Sequence, residues 1–216
     1  MAVSYLDGYL TLPSAGAGPG VLVLHAWWGL NGFFKSFCDR VASEGFVVCA
    51  PDLYHGKVAT TVPEAEELRS KLKQKRAKAD VEEAVNCLRN QPGVAAPGLG
   101  VIGFSLGAYY ALGLSADQGK KVRAVVVFYG KRGGDYIGSA AAYLGHFAET
   151  DAWVAPSGVK KLAKALREAG RPATFYTYEG TGHWFFEADR ADAYREGPAR
   201  LAWQRTVAFL KATLVR

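Results

Sequence analysis

The pentapeptide Gly103-Phe104-Ser105-Leu106-Gly107 carries the GxSxG spacing of a serine nucleophile. It follows the apolar run LGVIGF and opens the helix-compatible stretch SLGAYYALGL, so Ser105 is expected on a strand-to-helix turn. A hydroxyl held there is exposed on a strained backbone. Side chains two positions away on either side would clash, and Gly103 and Gly107 remove them. The helix that begins at the turn aims its first N–H groups at the place where a carbonyl oxygen would gain negative charge. The plainer account is a glycine-rich turn with an incidental serine, in a chain that holds 25 glycines.

A serine hydroxyl needs a base. The chain has four histidines, and His183 is the best placed. It lies in the glycine-rich segment Glu179-Gly180-Thr181-Gly182-His183, after the predicted strand ATFYTY and before the last helix. His25 and His146 fall within or at the end of predicted strands and read as packed, hydrogen-bonded structural residues. His55, beside Gly56, is a weak candidate for a pocket rim. The acid that orients the base should follow another strand between Ser105 and His183. Asp151, after YLGHFAET, meets that condition. Glu149 is its nearest rival, and capping a loop or helix is its alternative role. Asp117 at a helix end and Asp135 in a glycine-rich loop suit solvation or turn formation. Ser105, Asp151 and His183 would then perform acyl transfer, with backbone N–H groups of Leu106 and Trp27 as oxyanion donors. Trp27, Trp28, Tyr54, Trp184, Phe185 and Phe186 suggest an aromatic pocket wall, in which Trp28, Tyr54, Trp184 and Phe185 would bind substrate. Core filling beneath the loops is the alternative for each of them.

These residues require a scaffold of alternating strands and helices. Strands are expected at residues 3–6, 9–12, 21–25, 46–50, 99–104, 122–129, 143–147 and 173–178. VLVL, FVVCA and VRAVVVF are apolar without alternation, as central parallel strands covered on both faces must be. Asn31 can cap a helix that buries Phe33, Phe34, Phe37, Cys38, Val41 and Ala42 and stops at Gly45. Asp80 followed by Glu83 has capping-box spacing, predicting a helix start with Val81, Ala84, Val85 and Leu88 on its inner face. The last helix, near 199–214, puts Trp203, Val207, Leu210 and Leu214 on one stripe. The fold class is therefore α/β, with a mostly parallel sheet of about eight strands and helices on both faces. One domain spanning 1–216 uses nearly the whole chain, leaves no room for a cap domain, and favours small substrates in an open pocket.

Composition narrows the function further. The chain of 216 residues is 50% hydrophobic and 21% charged, which excludes a disordered chain and suits one sizeable core. No apolar run approaches the roughly 20 residues of a membrane span. Residues 1–12 lack the pattern of a secretory signal, so the expected compartment is the cytoplasm. Cys38, Cys49 and Cys87 are widely spaced in apolar surroundings, without metal-ligand spacing, and read as buried reduced thiols. No metal and no cofactor are expected. The formal net charge of +6 admits nucleic acid, an acidic surface or an anionic substrate as partner. Arg69, Lys71, Lys73, Lys75, Arg76 and Lys78 concentrate much of it. Acidic residues flank them and no aromatic interleaves them, so a solvated helix surface away from the site is preferred to a nucleic-acid interface. Gly98, Gly100 and Gly103 formally match GxGxxG, but they lie before or inside the strand rather than after it, unlike a dinucleotide site.

Beyond these readings, the chain resembles the dienelactone hydrolase family of α/β-hydrolases. The blocks VLVLHAWWGLN, CAPDLYHGKVAT, GVIGFSLGAYYAL, FYG, LGHFAETDAWV and YEGTGHWFF occur in the family's order across nearly the full length. The resemblance implies Ser105 as nucleophile, Asp151 as acid, His183 as base, and Trp27 and Leu106 as oxyanion donors. It implies hydrolysis of small carboxylic esters or lactones. A monomer or weak homo-oligomer is expected. Two departures stand out. Familiar members carry cysteine where this chain has Ser105 and a cysteine-assisting glutamate where it has Ala26. A serine cannot rest ionised and relies on direct proton transfer to His183, so loss of that carboxylate is compatible with activity. Members that open dienelactones also use an arginine shortly after the catalytic histidine, where this chain reads Trp184-Phe185-Phe186-Glu187. A neutral aromatic or short-chain ester or lactone is therefore at least as fitting a substrate. An inactive member serving as a binding protein is the alternative; the intact Ser105, Asp151 and His183 argue against it.

Overall fold

The computed structural model describes residues 2–3, 8–94 and 98–215. Eight strands form one sheet in the order β1-β2-β4-β3-β5-β6-β7-β8. The strands are β1 (Ala2–Val3), β2 (Gly8–Thr11), β3 (Gly20–Leu24), β4 (Val47–Pro51), β5 (Leu99–Phe104), β6 (Val122–Phe128), β7 (Ala142–Ala148) and β8 (Ala173–Tyr178). β1 and β2 join antiparallel, and every pairing from β4 through β8 is parallel. Seven of the eight expected strands are present within a few residues of their expected limits; of the first, residue 3 lies in β1 and residues 4–6 lie outside the described residues.

The side chains of β3 show how the continuous apolar strands are used. Val21 and Val23 face one core layer and Leu22 and Leu24 the other, all fully buried. The first layer is closed by α1 (Gly32–Ser43) and α6 (Glu196–Leu214), through Phe34, Phe37 and Val41 of α1 and Trp203, Leu210 and Leu214 of α6. The second is closed by α3 (Gln74–Arg89), α4 (Leu106–Asp117) and α5 (Pro156–Glu168), through Val81, Val85 and Leu88, Leu112, and Leu162 and Leu166.

Helix ends follow local chemistry. The Asn31 side chain accepts from the Phe34 N–H at 3.2 Å, and Gly45 ends that segment at φ +100°, as expected. The Asp80 expectation is corrected. α3 already begins at Gln74, so Asp80 lies inside the helix and its carboxylate holds Arg76 at 3.6 Å and His55 at 3.2 Å. The capping box belongs instead to Thr61 and Glu64, which open α2 (Val62–Lys71) with Pro63 in its first turn. Cys38 and Cys49 are buried, whereas Cys87 is only half-buried. Among the described residues no helix is long and apolar enough to cross a membrane.

Candidate active site

β5 delivers Ser105 at the carboxyl edge of the sheet, and α4 starts at the next residue. Ser105 has φ +48° and ψ −104°, a conformation that L residues rarely adopt, and its N–H donates to the Phe128 carbonyl at 3.0 Å. The neighbouring glycines make this turn possible. A Cβ on Gly103 would lie 2.6 Å from the Gly107 carbonyl oxygen, and one on Gly107 only 2.1 Å from that of Leu24.

The Ser105 hydroxyl lies 2.9 Å from Nε2 of His183. Nδ1 of His183 lies 2.7 Å from Oδ2 of Asp151. A neutral imidazole protonated on Nδ1 satisfies both contacts, donating to the carboxylate and accepting from the hydroxyl. The Asp151 carboxylate is itself fixed, since Oδ1 accepts from the N–H groups of Trp153 at 2.8 Å and Val154 at 2.9 Å. Three loops, following β5, β7 and β8, thus bring together Ser105, Asp151 and His183.

Glu149 takes a different part. Its Oε2 accepts from the Gly180 N–H at 3.0 Å and its own N–H donates to the Tyr178 carbonyl, which ties the β7 loop to the one bearing His183. Asp117 pairs with Lys78 at the end of α4, and Asp135 accepts from the Ile137 N–H in a turn, as expected of both. His25 is fully buried between the Ala26 carbonyl and the Leu53 N–H, and burial pushes its pKa down. His146 is equally enclosed between Tyr178 and Thr206, and burial lowers its pKa to about 3. His55 lines a separate groove and pairs with Asp80.

Ser105 and His183 open into a cleft of about 740 Å³. Trp27 and Leu106 line it as well, and no hydrogen bond to another described residue occupies the N–H of either one. Leu106 supplies the first N–H of α4, where the helix end is most positive. Of the expected aromatic wall only Trp27 lines the cleft. The wall consists of Trp27, Tyr109, Tyr110, Tyr129 and Trp153, the last 47% exposed with its ring 5.2 Å from that of His183.

Trp28, Tyr54, Trp184 and Phe185 do not line this cleft, which corrects their expected role in substrate binding. Trp28, Trp184 and Phe185 fill the core below the loops; Trp28 packs on Trp27 and Trp184 at ring distances of 5.6 and 5.1 Å. Tyr54 is buried beside the groove that His55 also lines. A loop position at the sheet edge does not tell whether a large ring points outward or down, and burial of apolar area draws it down.

The cleft also contains cations. Arg69 of α2 and Lys131, after β6, both line it. Arg69 therefore does not lie away from the site on a solvated surface, although it belongs to the basic stretch. The signal available in the sequence was the spacing on α2, where Glu66, Arg69 and Ser70 share the face turned to the cleft.

A buried acid completes the surroundings. Glu187 is fully buried four residues after His183, and its Oε1 accepts from the Tyr129 hydroxyl at 2.6 Å. Oε2 has no partner among the described residues. Burial first, and then the charge of Asp189, push its pKa up to about 8 despite the Tyr129 hydrogen bond and Arg190. Tyr129 in turn sits with its ring 4.8 Å from that of His183 at φ +36°. Among the described residues no group of three or more His, Cys, Asp or Glu side chains could hold a metal ion.

A sequence model of the dienelactone hydrolase family matches residues 6–214. The chain belongs to the dienelactone hydrolase family. Among its relatives is the protein usf of Aquifex pyrophilus, 34% identical over 222 residues that cover 96% of this chain and 93% of that one. A protein of Aquifex aeolicus named for carboxymethylenebutenolidase activity is 32% identical, with 96% of this chain and 93% of that one covered. A crystal structure from Klebsiella pneumoniae, titled as a dienelactone hydrolase, superposes with a TM-score of 0.81 at 27% identity, covering 94% of this chain and 91% of that one. Family and fold agree with the α/β-hydrolase sheet described above.

Proposed function

We propose that this family member is a serine hydrolase that cleaves small carboxylic esters or lactones through an acyl-enzyme on Ser105. The observation that carries the reading is the unbroken contact from Ser105 through His183 to Asp151, at 2.9 and 2.7 Å, opening into a cleft. His183 accepts the Ser105 proton as Oγ attacks the carbonyl carbon. Asp151 holds the ring in the required tautomer and stabilises the imidazolium. The N–H groups of Leu106 and Trp27 receive the oxyanion. His183 then gives its proton to the leaving oxygen, and water, activated by the same imidazole, releases the acid and restores Ser105.

No step needs a metal or a cofactor. Ala26 at the position of the family's assisting glutamate fits a hydroxyl nucleophile, which has no thiolate to manage. Arg69 and Lys131 support substrates with a negative charge away from the scissile bond, a class that the residues after His183 alone do not favour. The relative named for carboxymethylenebutenolidase activity is consistent with lactones among the substrates. The test is hydrolysis of short p-nitrophenyl esters and of simple lactones by wild type and Ser105→Ala. Turnover by wild type that Ser105→Ala abolishes is expected. Equal rates from the two proteins would remove Ser105 as nucleophile.

A further inference from the structure

Among the described residues β8 is the last strand of the sheet, and only β7 pairs with it. The Tyr143 N–H donates to the Pro172 carbonyl at 2.8 Å and the Glu149 N–H to the Tyr178 carbonyl at 3.2 Å. With Tyr143 in register with Ala173, these two bonds set the phase of the whole ladder. Thr174, Tyr176 and Tyr178 turn their main-chain groups toward β7, and Ala173, Phe175 and Thr177 turn theirs outward. Among the described residues, no hydrogen bond is made by the outward N–H and C=O groups of those three. Ala173, Thr174 and Thr177 are exposed. Native edge strands are usually guarded by charges, proline or a bulge. Between Ala173 and Tyr178 this strand has no charged residue and no proline, and its register with β7 is regular.

We infer that β8 pairs antiparallel with β8 of a second copy of this chain, about a twofold axis through Phe175. That centre places Phe175 opposite its own counterpart and Ala173 opposite the copy's Thr177, and the reverse. Each is a hydrogen-bonded type of pair exchanging two bonds, so all the outward groups of the strand are used. A twofold centred on Thr174 or on Tyr176 would leave some of them unused. Charge selects the same centre. Arg171 and Glu179, which bracket the strand, come opposite one another across the axis. Two Arg171 nitrogens are already held by the Ala169 and Ser139 carbonyls, at 2.9 and 2.6 Å, which leaves Nη2 for the partner, and Glu179 is exposed. Self-complementarity of one patch under a twofold is what a homodimer requires.

Sedimentation equilibrium over micromolar concentrations tests this, with circular dichroism confirming that each variant is folded. Wild type is expected to dimerise with concentration. Ala173→Lys combined with Thr177→Lys sets like charges opposite each other at two places and should weaken association at least tenfold. Ala173→Lys combined with Thr177→Glu sets opposite charges in the same two places and should restore it. A wild type that stays monomeric, or a double-lysine variant that dimerises as wild type does, would overturn the proposal. Failure of the Lys/Glu pair to associate would overturn the register. None of these outcomes depends on hydrolysis at Ser105.

Discussion

Glu187→Gln isolates the cost of a carboxyl group buried beside the candidate site. The substitution keeps an oxygen to accept from the Tyr129 hydroxyl and removes the ionisable proton. Glu187 has an ordinary carboxyl pKa of 4.5 in the unfolded chain and about 8 in the folded one, raised chiefly by burial. Its folded pKa is the higher of the two, so stability is at its fullest below about 4.5 and declines as pH rises, levelling off above about 8. One pKa unit corresponds to about 1.4 kcal/mol, which makes the total decline on the order of 5 kcal/mol. His146, held neutral with a pKa of about 3, produces the opposite slope, losing stability as pH falls below 6.5. That slope is common to both proteins and cancels in their difference. Urea unfolding of wild type and Glu187→Gln from pH 5 to pH 9 reads the difference directly. The variant is expected to gain on wild type steadily to about pH 8 and to be several kcal/mol more stable there. Parallel curves would refute the account of Glu187 as a buried acid carried neutral.

Three further outcomes follow from the geometry. Asp151→Asn preserves the shape of the loop but disfavours the His183 tautomer, and should lower kcat on ester substrates about 10⁴-fold with little change in thermal stability. Gly107→Ala would put a methyl 2.1 Å from the Leu24 carbonyl oxygen and 2.7 Å from that of His25, both main chain. It should destabilise the fold by about 3 kcal/mol or more, read as a lower Tm and poor soluble yield. Arg69→Ala should raise KM for esters that carry a carboxylate about tenfold while leaving neutral esters within twofold, as steady-state kinetics on the two series would show.

Much of this architecture is legible in the sequence because two apolar patterns are strong. VLVL and VRAVVVF admit little besides doubly covered strands, and the stripe Trp203, Val207, Leu210, Leu214 fixes the face of the last helix. The nucleophile turn is legible because its backbone demands small neighbours, a need that Gly103 and Gly107 display openly. The start of α3 is not legible, because a capping-box spacing recurs by chance within polar helices and the buried Ala77 is too weak an apolar signal to extend the helix back to Gln74. Most of the pocket wall is not legible, because ring orientation depends on packing between loops that are distant in sequence. Trp153 reaches the cleft from the β7 loop while Trp184, next to His183, turns into the core. Arg69 was hidden within a basic run, and only the packing of α2 over the cleft separates it from its solvated neighbours. Glu187 left a trace, a single acid after Trp184, Phe185 and Phe186, but burial of that residue is a tertiary fact.

In the proposed chemistry Ser105 forms a covalent acyl intermediate with His183 as its base. Incubation with a fluorophosphonate, followed by peptide mass spectrometry, addresses it most directly, because the reagent reports nucleophile activation without knowledge of the substrate. A single adduct on Ser105 is expected in wild type and none in Ser105→Ala. Labelling should be slowed by at least about 10³-fold in His183→Ala. An adduct on another residue, or labelling of Ser105 at an undiminished rate without His183, would contradict this chemistry.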